Sequence, residues 1–348
     1  MPRAAIFGCA GPGLSGEERS FFTAADPLGF ILFARNCIEP RQVRQLVADL
    51  RAAVGREDAP VLIDQEGGRV ARLRPPHWRL PPAAAMIGEL YRKDAPAGLL
   101  AARLNARLIA HDLVQLGIDV NCAPSLDLML SQSTNVIGDR AFGTEPSVVA
   151  ALGRAVCDGF LAGGILPVIK HMPGHGRADV DSHHELPVVE TRPAGLGASD
   201  FVPFKLLHDM PIAITAHVIY SFIDPDQPAT TSAKVIAEVI RDEIRFDGLL
   251  LTDDIGMSAL SGSFDHRAAA AIAAGCDVVL HCSGKMAEMQ AVVAATEAMT
   301  VLASARWQRA VARRRRPEDF DPAAALAALE ALFAGHATVA GGPRPGNG

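Results

Sequence analysis

Residues 170–187, with the sequence KHMPGHGRADVDSHHELP, concentrate side chains that can hold or transfer a proton. The segment contains one lysine, four histidines and three acidic residues, and its glycines give the backbone unusual freedom. Such a composition suits three kinds of chemistry: a metal site, a lysine that forms a covalent imine, or a histidine that a carboxylate holds in place for proton transfer.

A metal site would use His171, His175 and His183, because imidazole is a common zinc ligand. Their spacing matches no HExxH-type helix, and the neighbouring glycines and prolines disfavour a helix here. Loop histidines more often act through hydrogen bonds than through metals. We therefore predict neither a metal nor any other cofactor.

Lys170 is the candidate for a covalent imine, since a lysine at the end of a barrel strand is an aldolase-type arrangement. However, the many carboxylates near it in the sequence would keep its amine charged. We favour a cation that donates hydrogen bonds to substrate hydroxyl groups.

The third possibility combines Asp181 and His183 with Asp253, a carboxylate at the end of a distant apolar segment. An acid beside a histidine fixes its tautomer and stabilises its protonated form, and a separate carboxylate can attack an electrophilic carbon. The three residues thus meet the requirement for retaining glycoside hydrolysis, with a histidine in place of the second carboxylic acid. The ordinary pKa of histidine, about 6.5, suits proton donation near neutral pH.

Alternating apolar and amphipathic segments predict the elements that position these residues. Eight apolar segments have the composition of parallel strands covered on both faces: residues 4–10, 29–34, 60–64, 117–124, 166–171, 211–217, 247–254 and 276–282. Helices are predicted over residues 98–116, from Thr231 or Ser232 to Ile244, and over 322–333. This order indicates the α/β class and a single TIM-like (β/α)8 barrel, with a doubly wound sheet as the alternative.

Ionisable residues lie at or just after the ends of five predicted strands: Asp64, His171, His217, Asp253 and His281. The carboxyl ends of barrel strands build the active site, so we expect a pocket there. We predict structural roles for four residues: Glu66 as a partner of Arg69 or Arg72, His175 as a loop anchor, Asp254 as a hydrogen-bonding acid and His281 without a role in catalysis.

The composition is that of an ordinary soluble globular enzyme of 348 residues, and its net charge of −6 disfavours nucleic-acid binding. No apolar segment approaches the roughly 20 residues of a membrane helix. Six scattered cysteines and an N-terminus without a signal-peptide pattern favour a reducing cytoplasm. We expect a monomer with a catalytic domain over residues 1–335, including C-terminal helices, and a flexible tail over 336–348.

Five motifs together resemble those of the glycoside hydrolase family 3 β-N-acetylglucosaminidases, the compact bacterial type of cell-wall recycling. They are IDQEGGRVARL (63–73), NVIGDRAFG (135–143), KHMPGHGRADVDSHHELP (170–187), ITAHVIY (214–220) and LLLTDDIGMSAL (249–260). The resemblance implies a TIM-like barrel, a covalent glycosyl-enzyme intermediate and no metal. It also implies a carbohydrate substrate: peptidoglycan-derived N-acetylglucosaminyl-anhydromuropeptides, from which the enzyme removes the non-reducing terminal N-acetylglucosamine.

Carried over by position, the resemblance implies Asp253 as the nucleophile, His183 as the acid/base and Asp181 as its orienting partner. It implies five sugar-binding residues: Asp64, Arg72, Arg140, Lys170 and His171. The sequence departs from the family pattern at Met172, where Phe is usual, and at Arg177-Ala178, where Asp-Thr is common. His184 is the alternative acid/base.

Two other functions are weighed against this one. A family 3 β-glucosidase usually takes a carboxylic acid/base from a second domain, for which we expect no room in this chain. A non-catalytic sugar-binding barrel would need no nucleophile, yet Asp253, Asp181 and His183 are all present. The sequence therefore predicts a retaining exo-β-N-acetylglucosaminidase.

If His183 protonates the departing oxygen, its replacement should slow substrates with poor leaving groups most. We expect His183→Ala to lose about 10²–10⁴-fold in rate on natural glycosides. With a dinitrophenyl leaving group, the rate of the first step, glycosylation of the enzyme, should be nearly unchanged. Azide should speed the second step, deglycosylation. Asp181→Ala should show a weaker version of this pattern, and His184→Ala, the control, should change little. Leaving-group dependence in His184→Ala but not in His183→Ala would assign the acid/base to His184.

Overall fold

Eight parallel strands form a closed barrel, in which every strand pairs with its neighbours in the sequence. The computed structural model describes residues 1–130, 137–178, 180 and 185–337. The barrel strands are β1 (Arg3–Gly8), β2 (Pro27–Leu32), β3 (Val61–Ile63), β4 (Val120–Asn121), β5 (Leu166–Met172), β6 (Ile212–Thr215), β7 (Leu249–Asp254) and β8 (Val278–His281). Pairing of β8 with β1 closes the barrel. The predicted (β/α)8 barrel is confirmed, and the doubly wound alternative is wrong.

The barrel interior is a packed apolar core, with side chains such as Ile6, Leu62, Val168, Ile212 and Leu251 in one buried cluster. The outer faces of the strands pack against the surrounding helices in a second, larger cluster. Because both faces of each strand are buried, the strand sequences are apolar without alternation. Polar side chains can enter the barrel only where the strands end.

Eleven α-helices lie around the barrel in the described part of the chain. They are α1 (Gly16–Ala25), α2 (Pro40–Ala53), α3 (Ala84–Lys93), α4 (Ala95–Gln115), α5 (Pro146–Ala162), α6 (Pro193–Gly197), α7 (Val202–Leu206), α8 (Phe264–Ala274), α9 (Met286–Ala295), α10 (Val301–Arg313) and α11 (Pro322–Ala337). The predicted helix over 98–116 is confirmed as α4, and Gly117 follows it with a φ of +78°, a conformation that favours glycine. The predicted terminal helix is confirmed as α11, which packs through Ala325 and Leu329.

The helix predicted to end at Ile244 has a different hydrogen-bond pattern from the expected one. Val235–Glu243 form a π-helix, and the N–H of Ile244 donates to the carbonyl of Val239 over 2.8 Å. Its predicted cap is correct, because the hydroxyl of Ser232 accepts a hydrogen bond from Val235 N–H at 3.0 Å. Apolar periodicity indicates that a helix is present, but it does not distinguish the i→i−4 pattern from the rare i→i−5 pattern.

Two short ribbons follow the barrel strands: Gln65–Gly67 pairs with Val70–Ala71, and Val188–Val189 pairs with Ile219–Tyr220. Three 3₁₀ turns cover Ala34–Asn36, Gly138–Arg140 and Ala229–Thr231. Within the described ranges, no helix combines the length and apolar character needed to cross a membrane.

Candidate active site

A cavity of about 330 Å³ opens among the carboxyl ends of the barrel strands, and its volume lies in the range of small-molecule sites. Six predicted site residues line this pocket: Asp64, Arg72, Arg140, Lys170, His171 and Asp253. The other two, Asp181 and His183, lie outside the described residues. The structure thus brings together every predicted site residue that it describes.

Alternating cations and carboxylates form a continuous chain along one wall of the pocket. Lys170 Nζ lies 2.7 Å from Asp64 Oδ1 and 2.7 Å from Glu66 Oε1. Arg72 continues the chain on the Asp64 side, with a 3.1 Å contact to Oδ2. Arg140 continues it on the Glu66 side, donating from Nε and Nη2 over 2.9 and 2.8 Å. Each carboxylate is therefore shared by two cations.

The predicted partner of Glu66 was wrong. Glu66 binds Lys170 and Arg140, whereas Arg69 pairs with Asp139 at 3.0 Å. Segments that are distant in the sequence meet at one end of the closed barrel, so Glu66 contacts cations more than seventy residues away rather than nearby arginines. Its role is structural, as expected.

Lys170 is held in its charged form although its side chain is only 4% exposed. Burial acts to lower the pKa of Lys170, but Asp64 and Glu66 outweigh it and raise the pKa above its ordinary value. Burial likewise acts to raise the pKa of Glu66, and Arg140 and Lys170 outweigh it, so this pKa is lowered. A protonated amine cannot form an imine, which supports the hydroxyl-binding role of Lys170.

Asp127, a residue that sequence reasoning missed, fixes the ring of His171. The side chain of Asp127 is fully buried, and its Oδ2 lies 2.6 Å from His171 Nδ1. It also accepts hydrogen bonds from the Ser125 hydroxyl at 2.9 Å and from the backbone N–H of His175 at 2.7 Å. Burial acts to raise the pKa of Asp127, but the charge and hydrogen bond of His171, together with His175, outweigh it and lower the pKa. The ionised carboxylate makes Nδ1 of His171 the proton donor.

The opposite nitrogen of His171 then faces the pocket. Its Nε2 lies 3.4 Å from Arg140 Nη2 and 3.8 Å from Asp253 Oδ2. A carboxylate behind an imidazole fixes the tautomer and orientation of the ring. His171 is therefore oriented to contact a bound substrate beside Asp253.

Asp253 is the next-to-last residue of strand β7, and its carboxylate is 23% exposed. Its Oδ1 accepts a hydrogen bond from the backbone N–H of Asp254 at 2.8 Å. Burial acts to raise the pKa of Asp253, but the neighbouring His171, the hydrogen bond from the Asp254 N–H and Lys170 outweigh it and lower the pKa. The group is thus ionised at neutral pH, as a nucleophile requires.

Residues 15–316 match the glycosyl hydrolase family 3 N-terminal domain. The chain belongs to glycoside hydrolase family 3. A β-hexosaminidase of Alkalilimnicola ehrlichii is 41% identical over 282 residues, which is 80% of each chain. NagZ from Neisseria gonorrhoeae, solved with N-trifluoroacetyl-D-glucosamine, has 31% identity and a TM-score of 0.82, with 96% of this chain and 97% of that chain covered.

A family 3 β-N-acetylglucosaminidase from Paenibacillus is also similar, with 31% identity and a TM-score of 0.78. The match covers 99% of this chain but 64% of the Paenibacillus chain, so the present family 3 chain spans about two thirds of that protein.

Asp254 and His281 of this family 3 chain make contacts that suit the structural roles predicted for them, although Asp254 also lines the pocket. Asp254 Oδ1 accepts hydrogen bonds from the N–H groups of Gly256 and Cys282, at 2.9 and 3.2 Å. His281 Nε2 lies 3.2 Å from Glu288, away from the pocket lining. Among the described residues, no three His, Cys, Asp or Glu side chains are grouped so as to hold a metal ion.

Arg177, which departs from the family pattern, anchors the start of the loop after β5. Its Nε lies 2.7 Å from Oδ2 of the buried Asp200, and its Nη2 donates to the Ser199 hydroxyl over 3.0 Å. The loop is also anchored by His175, whose backbone N–H binds Asp127. Arg177 therefore ties the start of this loop to a buried acid through an ion pair.

Glu66 should contribute more to stability than an exposed acid in the same part of the molecule. Removing one partner of a buried ion pair leaves uncompensated charge, so Glu66→Gln should lower the free energy of unfolding at pH 7 by about 3–5 kcal/mol. Asp139→Asn removes the partner of the exposed Arg69 and should cost less than about 1 kcal/mol. Urea unfolding of both variants measures the difference.

The effect of Glu66→Gln should also depend on pH. The pKa of Glu66 is lower in the folded state than in the unfolded state. Its contribution to the free energy of unfolding is therefore complete above the ordinary pKa of glutamate, and it is lost as the pH falls through the folded-state pKa. The difference from wild type should be constant above about pH 5 and shrink below about pH 4. Equal losses for the two variants, or a Glu66→Gln loss that persists unchanged in acid, would contradict the assignment.

Proposed function

We propose that this family 3 chain is a retaining exo-β-N-acetylglucosaminidase. The observation that carries the proposal is Asp253: an ionised carboxylate at a strand end, in a pocket whose remaining polar lining is suited to binding hydroxyl groups. Asp64 and the charged groups of Lys170, Arg72 and Arg140 offer acceptors and donors to a sugar ring. The cavity of about 330 Å³ has the volume of a small-molecule site, which suits the binding of one terminal sugar.

In the first step, an oxygen of Asp253 forms a bond to the anomeric carbon while the bond to the aglycone breaks. The departing oxygen takes a proton from His183, which Asp181 orients. In the second step, water gives a proton to His183 and attacks the anomeric carbon, and the carboxylate of Asp253 is released. Two displacements at one carbon retain its configuration, and the net change is addition of water across the glycosidic bond.

The N-acetylated substrate is supported by the relatives, which are named β-hexosaminidase and β-N-acetylglucosaminidase or bind N-trifluoroacetyl-D-glucosamine. Val70 and Met257 add apolar surface to the pocket lining, where an acetamido methyl group could pack. The sequence resemblance further supports N-acetylglucosaminyl-anhydromuropeptides as substrates and a cytoplasmic role in cell-wall recycling. A monomer remains our expectation. Of the tail predicted over 336–348, residues 336–337 belong to α11, and residues 338–348 lie outside the described residues.

Hydrolysis of a pair of aryl glycosides tests the proposal. The chain should hydrolyse an aryl β-N-acetylglucosaminide much faster than the matching aryl β-glucoside, and proton NMR should show the β-anomer as the first product. Asp253→Ala should abolish turnover and remain folded, whereas Asp265→Ala, which removes an exposed acid on α8, should retain full activity. Faster hydrolysis of the glucoside would indicate a β-glucosidase. Absence of turnover would indicate a sugar-binding protein, and an α-anomer as the first product would indicate an inverting mechanism.

A further inference from the structure

A buried chain of hydrogen bonds runs from strand β6 to the backbone beside Asp253. The hydroxyl groups of Thr215 and Thr230 lie 2.8 Å apart, and Thr230 Oγ1 lies 2.7 Å from Nδ1 of His217. On its other side, His217 Nε2 lies 3.0 Å from the backbone carbonyl of Asp254. The three side chains of Thr215, Thr230 and His217 are completely buried. His217 was noted in the sequence only as a strand-end residue, and it is absent from the pocket lining.

The direction of each hydrogen bond in this chain is determined by its acceptors. Burial lowers the pKa of His217, so the ring is neutral at physiological pH and carries one proton. A carbonyl oxygen can only accept, so the proton is on Nε2 and is donated to Asp254. Nδ1 then accepts from the Thr230 hydroxyl, because it lies closer to that oxygen, at 2.7 Å, than the competing Ala216 carbonyl at 3.1 Å. Thr215 in turn donates to Thr230.

The last bond of this chain acts on Asp254, the residue whose own N–H holds the carboxylate of Asp253. The carbonyl of Asp254 accepts from His217, while the N–H of the same residue donates to Asp253 Oδ1 at 2.8 Å. We infer that His217 is a positioning residue for the proposed glycosidase reaction: by holding the backbone of Asp254 it sets the direction from which Asp253 attacks. The inference rests on the proposed function, because it assumes that Asp253 is the nucleophile.

Bonds that do not involve His217 hold the rest of β7 in place, which separates this role from a general structural one. The Leu280 N–H donates to the Thr252 hydroxyl at 2.9 Å, and the Ile255 N–H donates to the Leu280 carbonyl at 3.0 Å. These bonds join β7 to β8 without His217. Loss of the Nε2 donor should therefore leave the barrel folded and alter the alignment of Asp253.

Two amide substitutions separate the two nitrogens of the His217 ring. The side-chain oxygen of Asn overlaps the position of Nδ1 and can accept from Thr230, but Asn offers no donor at the Nε2 position. The amide nitrogen of Gln overlaps Nε2 and can donate to Asp254. His217→Asn should therefore lose the positioning bond, and His217→Gln should retain it.

The experiment measures the initial burst of dinitrophenol released from dinitrophenyl β-N-acetylglucosaminide, and this burst reports the glycosylation step. The affinity for N-acetylglucosamine and the melting temperature are measured on the same variants. His217→Asn should slow the burst about 10- to 100-fold without weakening N-acetylglucosamine binding, as expected for misalignment of a reacting group. His217→Gln should remain close to wild type. His281→Asn makes the same change at a strand end that contacts Glu288, and its burst should stay at the wild-type rate.

Thr230→Val offers a second test should His217→Asn fail to fold. It removes the donor to Nδ1 and should slow the burst less than His217→Asn, whereas Thr230→Ser should restore the rate. Any of three results would overturn the positioning role and leave the glycosidase proposal intact. They are a wild-type burst rate in His217→Asn, equal slowing of the burst in His217→Asn and His217→Gln, and full activity in Thr230→Val. A wild-type chain that releases no dinitrophenol would overturn both.

Discussion

The ammonium group of Lys170 lies 2.7 Å from both Asp64 and Glu66 in a side chain that is almost completely buried. An isolated charge in such a place would cost several kcal/mol, so each ion here requires a partner of opposite sign. Arg72 and Arg140 supply the further cations that the two carboxylates need. Because Asp64 directly follows β3 and Lys170 lies near the end of β5, their pairing fixes the relative positions of these two strand ends and so helps to shape the pocket.

The pairing of buried charges also sets the protonation states that the proposed chemistry needs. Lys170 stays a cation, and Asp253 stays an anion. Asp127 is ionised behind His171, which orients the ring towards the pocket. In this account a rigid barrel holds the nucleophile and the sugar-binding groups. The proposed acid/base belongs to a loop that is anchored at its start by the 2.6 Å hydrogen bond from the Tyr220 hydroxyl to the Gly174 carbonyl.

The strands and the pocket could be predicted because burial on both faces leaves a simple pattern: apolar segments that end in ionisable residues. Asp127 was missed since it follows its strand by six residues, within a segment that otherwise reads as apolar. Asp127 could be predicted if the search for ionisable residues at strand ends were extended to acids a few residues beyond each strand. The partners of Glu66 depend on how the barrel closes, which a pattern in the sequence does not record. The π-helix over Val235–Glu243 depends on backbone hydrogen bonding, which such a pattern does not record either.

The central claim is that Asp253 becomes covalently bound to the sugar during turnover. A 5-fluoro N-acetylglucosaminyl fluoride forms the glycosyl-enzyme quickly and releases it slowly, so that peptide mapping by mass spectrometry can locate the attached sugar. The account predicts one label per chain, on Asp253, with loss of activity in proportion to labelling. Label on Asp254, or inactivation without any covalent label, would contradict it.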